Sequence, residues 1–195
     1  MLEKKIALLT SVTFNNIGNG FIDLGAEAAL MKALPLNAEL FKVSSNANFA
    51  ATMGQMFMLK ENPIINWLWV HTMQRAAKKL HDRSYKTVKT QNIFSMASMV
   101  KCDYFIIPGC VLTVPFFTIY GDLIKRKAEQ GSKIIFLGAS GNFYTEYEVK
   151  FVSEYLRKLQ PYAIMTRDSL AYKYYANFTK NSYNGIDNVL SLIHI

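Results

Sequence analysis

Cysteine is scarce in this chain: two in 195 residues, Cys102 and Cys110, eight positions apart. That spacing fits neither a paired-thiol redox motif nor a zinc site, and the low count implies a reducing compartment with both residues as buried thiols. Histidine numbers 3. No pair of His, Cys, Asp or Glu has ligand spacing on one element, which leaves metal chemistry without support. A serine nucleophile is missing too, because Gly138 and Gly141 around Ser140 do not form a GxSxG elbow and no His partner is credible. Gly18 and Gly20 are spaced as GxG, yet the third position of a dinucleotide fingerprint falls on Asp23. The N-terminus has no signal-peptide pattern. The longest uncharged stretch, residues 104–121, is interrupted by Pro108, Gly109 and Pro115, which argues for strand, loop and helix over a membrane span. Basic residues are scattered without aromatic interleaving, which argues against nucleic acid as a partner.

What is present describes an ordinary globular chain, 51% hydrophobic and 18% charged, sized for one domain or one domain with part of a second. Lys and Arg exceed Asp and Glu by 22 to 14, a balance that favours anionic partners. Apolar runs alternate with amphipathic stretches. Strands are expected at Lys5–Val12, Glu39–Val43, Tyr104–Ile107, Lys133–Leu137 and Tyr162–Thr166. Helices are expected at Ile22–Ala33, Pro63–Leu80, Phe116–Gln130, Glu146–Leu159 and Ser169–Ala176. Residues 44–61 have no clear period. Near-continuous apolar strands separated by helices predict an α/β fold, a Rossmann-like parallel sheet with helices on both faces. Ligands then belong outside the carboxyl ends of the strands. Four loops should converge there, making Asn16, Gly109, Gly141 and Arg167 near neighbours.

Each loop carries a functional and a local reading. Gly18 and Gly20 precede a helix whose free N–H groups suit an anion or polar ligand; alternatively they permit a positive-φ turn, with Asn16 or Asn19 bonding nearby backbone. Ser140 and Gly141 offer a hydroxyl and a backbone N–H. Arg167 presents a planar donor fork suited to phosphate or carboxylate, or pairs with a carboxylate of the protein. Asp168 is placed to cap the next helix. Trp67 and Trp69 read as core, and His71 and His81 as surface or helix-end residues.

The loops together resemble the polysaccharide pyruvyl transferase family. The matching residues are Asn16-Ile17-Gly18-Asn19 with Ile22, then Asp103 with Ile106-Ile107-Pro108-Gly109, then Thr166-Arg167-Asp168 with Ser169 and Tyr172. Asn19 stands where the family usually has Asp, and Pro108-Gly109-Cys110 where a Gly-Gly pair is common. The resemblance implies transfer of a pyruvyl group from phosphoenolpyruvate to sugar hydroxyls, forming a ketal on a surface polysaccharide precursor. It also implies that residues 1–189 are the first half of a glycosyltransferase-B-like architecture. The partners would be phosphoenolpyruvate as donor substrate, with no further cofactor, and a saccharide acceptor, lipid-linked ones included; the expected location is the cytoplasm, the inner face of the membrane included. The substrate-binding set is then Asn16, Gly18, Asn19, Gly109, Ser140, Gly141, Arg167 and Asp168, with no acid or base identified. The alternatives are a sugar-nucleotide glycosyltransferase of similar fold and a non-catalytic sugar- or anion-binding module. The ending, residues 188–195, begins like a further strand, but its last six residues, Leu-Ser-Leu-Ile-His-Ile at 190–195, resemble a translated sequencing adapter, so they are set apart as a non-native tail and His194 is given no role.

Overall fold

The computed structural model describes residues 4–11, 17–35, 37–44 and 101–192. The expected helix Pro63–Leu80, the unassigned residues 45–61, Trp67, Trp69, His71, His81 and Asn16 lie outside them. The described chain runs β1 (Lys4–Thr10), α1 (Ile17–Ala33), β2 (Ala38–Ser44), β3 (Tyr104–Pro108), α2 (Val114–Glu129) and β4 (Lys133–Ala139). It continues with α3 (Glu146–Leu159), β5 (Ala163–Thr166), α4 (Ser169–Tyr175) and β6 (Ser182–Asn184), and two 3₁₀ turns follow α4 and β6, at Ala176–Phe178 and Asn188–Leu192. The six strands form one sheet in the order β2-β1-β3-β4-β5-β6, every pair parallel. This is a doubly wound, Rossmann-like α/β fold.

Alternation along the strands sorts side chains onto two faces. Ala7, Leu9, Phe105, Ile107, Phe136 and Ile164 point into a core that also takes Phe117, Leu123 and Ile124 of α2, Val152 and Leu156 of α3, and Ala171 and Tyr175 of α4. Ile6, Leu8 and Ile106 point the other way, toward Ala26 and Leu30 of α1. The uncharged stretch 104–121 divides into β3, a loop and the first half of α2, as its Pro and Gly residues demand. No helix among the described residues is long and apolar enough to cross a membrane.

The helix ends follow local chemistry. Thr113 caps α2 by accepting from Phe116 N–H, with Pro115 in the first turn, and Gly131, at φ +89, closes its far end in the left-handed conformation that suits a C-terminal glycine. Thr145 and Glu148 secure the start of α3: the threonine caps it by accepting from Glu148 N–H, and the Glu148 carboxylate accepts from Phe143 and Tyr144 N–H, just ahead of the cap, at 3.0 and 2.7 Å. Asp103, one of the residues carrying the family resemblance, sits at the opposite end of the sheet from the strands' carboxyl ends. Its carboxylate accepts from Lys5 N–H at 2.8 Å and pairs with Lys4, and the Lys5 bond holds its pKa below the ordinary value. Its work is to tie β1 to the start of β3.

Three local readings change. The helix after β1 begins at Ile17, five residues ahead of Ile22, so Gly18 and Gly20 lie in its first turn and not in a positive-φ turn. The cause is a pair of clamps four residues apart on one helix face: Asn19 donates to Ser11 C=O at 3.2 Å and Asp23 accepts from Ser11 N–H at 2.8 Å. Those bonds offset the roughly 1 kcal/mol that each helical glycine costs. Strand β6 is too short and too polar, Ser-Tyr-Asn, to register as an apolar run. Residues after Asp187, which resemble the start of a strand, instead form the 3₁₀ turn Asn188–Leu192 against α1, where a Cβ on Gly25 would lie 2.0 Å from Asn188 C=O.

Candidate functional site

In a parallel sheet the crevice forms where consecutive connections leave a strand in opposite directions. Here β1 leads through α1 to β2 on one side, and β3 continues through α2 to β4 on the other, so the switch point lies between β1 and β3. A pocket of about 130 Å³ opens there. Leu9 and Ser11 at the end of β1, Asn19 and Ile22 of α1, the loop Pro108–Val111, and Phe116 and Tyr120 of α2 surround it. Gly109 makes this approach possible: its φ is +91, and a Cβ would stand 3.3 Å from the Ile22 side chain. No Lys, Arg, Asp or Glu lines the pocket among the described residues. Its polar groups are the Asn19 amide, the Ser11 and Tyr120 hydroxyls and the Cys110 thiol, beside the tilted aromatic pair Phe116 and Tyr120 at 5.0 Å.

The neighbouring loops are joined to this one by direct bonds. Ser140 N–H donates to Gly109 C=O at 3.2 Å, Leu112 N–H to Ser140 C=O at 3.0 Å, and the Cys110 thiol to Gly141 C=O at 3.2 Å. Arg167 N–H reaches Ala139 C=O at 3.1 Å, and Arg167 Nε donates to Ser140 Oγ at 2.9 Å. Gly109, Ser140, Gly141 and Arg167 therefore share one rim. Cys110 is exposed and Cys102 partly so, which corrects the expectation of two buried thiols. The positive φ of Gly109 re-aims the chain after β3, so the strand's alternation no longer carries Cys110 inward.

Much of the rim's polarity is spent within the protein. Asp168 caps α4 by accepting from Ala171 N–H at 2.7 Å, and it also accepts from the Tyr144 hydroxyl at 2.9 Å. That hydroxyl accepts from Gly141 N–H, again at 2.9 Å. Burial, opposed by the Gly141 bond and aided by Asp168, pushes the Tyr144 pKa well above its usual value, so the phenol stays neutral and keeps donating. Arg167 pairs with Asp187, Nη1 to Oδ2 at 2.6 Å. Asn19 makes the local backbone bond to Ser11 while its side of α1 lines the pocket. Gly18 is exposed in the first turn of α1. No group of three potential metal-ligating side chains occurs among the described residues.

Tyr144, Glu148 and Asp187 were not singled out by sequence. The T-x-x-E box at Thr145 announces Glu148, but nothing local announces the left-handed φ of 51 at Tyr144 or an ion pair spanning 20 positions. Comparison of the chain with protein-family models, with curated proteins and with solved structures gives no match.

Proposed function

We propose that this chain supplies the acceptor side of a polysaccharide pyruvyl transferase, holding a sugar ring in the pocket between β1 and β3 while the donor's oxyanions lie toward Arg167. The observation that supports this most is the aromatic-flanked pocket wall, which carries no charged side chain among the described residues. A phosphate or carboxylate would ask that wall for cations or a convergent set of N–H donors. A pyranose asks for an apolar surface and a few hydroxyl, amide or carbonyl partners, which Phe116, Tyr120, Asn19 and Ser11 offer. The pocket, about 130 Å³, is smaller than the roughly 300 Å³ at which whole-ligand sites begin, so it suits one ring of a longer saccharide. Ketal formation needs cationic stabilisation of the donor and an acid and base at the sugar hydroxyl; Arg167 serves the first requirement.

Two measurements test the reading. Saturation-transfer NMR of the purified protein with methyl pyranosides should show binding, and a Cys110→Phe substitution, which fills the pocket from its exposed rim, should abolish it with little change in Tm. The full reading frame of the gene should release phosphate from phosphoenolpyruvate only when a saccharide is present. Saccharide-independent behaviour, or glycosyl transfer from a nucleotide sugar instead, would replace this function with one of its alternatives.

A further inference from the structure

Arg167 and its partner Asp187 differ in how firmly they are held. Arg167 is built into the scaffold: its N–H is bonded to the end of β4, its Nε to Ser140, and Ser140 is only 4% exposed. Asp187 rides on the segment that leaves β6, next to an Ile186 that is 67% exposed. Two bonds seat this segment on the sheet, Gly185 N–H to Thr166 C=O at 2.8 Å and the Asn188 amide to Leu137 C=O at 3.0 Å, and the buried Asn188 anchors its far end, leaving Asp187 between the two anchors. The Asn188 side chain fits against Gly138, whose φ is +56 and where a Cβ would fall 2.5 Å from it.

The ion pair is also incomplete. One carboxylate oxygen of Asp187 takes Arg167 Nη1, while the other accepts from Val189 N–H at 3.1 Å and so caps the 3₁₀ turn. Arg167 Nη2 has no hydrogen-bond partner among the described residues. A guanidinium binds a carboxylate or phosphate best through two parallel bonds. Asp187 supplies one. An incoming oxyanion can supply both, and the pair is open to it, with side-chain exposures of 24% and 35%.

We propose that Asp187 is a built-in competitor for an oxyanion site made by Arg167 and Ser140, so that a carboxylate- or phosphate-bearing ligand binding there displaces the Asp187 carboxylate and loosens the segment 185–189 beside it. This rests on the reading that Arg167 meets the donor. The exchange is a linkage: whatever affinity the anion loses to Asp187, the segment gains in protection, and the converse.

The test compares the protein with Asp187→Asn, which keeps an acceptor for Val189 N–H and removes the charge. Titrations use inorganic phosphate, pyruvate and phosphoenolpyruvate separately, so that the phosphate and carboxylate groups are told apart. Asp187→Asn should bind the effective anion about tenfold more tightly than the unsubstituted protein. Saturating anion should speed amide hydrogen exchange in residues 185–189 of the unsubstituted protein, and Arg167→Gln should abolish both effects. Equal affinity in the two proteins, anion binding without faster exchange, or no anion binding by either would each overturn the proposal. The pyranoside titration is independent of Arg167, so its outcome separates failure here from failure of the function proposed above.

Discussion

The Tyr144 hydroxyl accepts from Gly141 N–H and donates to the carboxylate that caps α4, so a single phenol joins the loop after β4 to the start of α4. Its ring fills the space a Cβ on Gly141 would need, 2.7 Å from Tyr144 Cε1. Tyr144→Phe keeps the ring and leaves Gly141 N–H and Asp168 short of a partner, so unfolding free energy should fall by about 1–3 kcal/mol, measured by urea denaturation. Asp168 itself was legible, because an acid just before a helical pattern has an obvious cap to make. Cys110 was not, since the turn at Gly109 cancels the strand's alternation.

At the scale of elements, α2 and α3 meet where a residue without a side chain faces one with a large one. Tyr155 of α3 packs its ring, tilted, on Phe117 at 4.4 Å and donates its hydroxyl to Gly121 C=O of α2. A Cβ on Gly121 would stand 2.7 Å from Tyr155 Oη. Gly121→Ala should therefore lower stability by about 1–3 kcal/mol despite alanine's better helix propensity, seen as a reduced Tm, and Tyr155→Phe in the same chain should restore part of the loss. Helix α3 was readable end to end from its apolar spacing. Helix α1 was readable only from Ile22 onward, because its first turn is secured by Asn19 and Asp23 reaching Ser11, and glycines alone do not signal that.

For the molecule as a whole, the same tyrosine sets an alkaline limit. Burial first, and then the charge of Asp122, pushes the Tyr155 hydroxyl from 10.0 up to about 12. A folded-state pKa above the unfolded value gives stability that is complete below pH 10 and lost as pH rises through about 12. Across that window the urea midpoint should fall more steeply for the unsubstituted protein than for Tyr155→Phe, which has no proton to lose there. The sequence by itself determined the parallel α/β class, the Asp168 cap and the loops at the carboxyl ends of β3, β4 and β5, because apolar period, caps and Gly/Pro punctuation act over a few residues. Only the tertiary structure decided that β1 and β3 adjoin at the switch point, that no charged side chain among the described residues lines the pocket there, and that Arg167 already holds Asp187. Those features depend on which distant segments become neighbours, and strand order fixes that through long-range packing that no local pattern encodes.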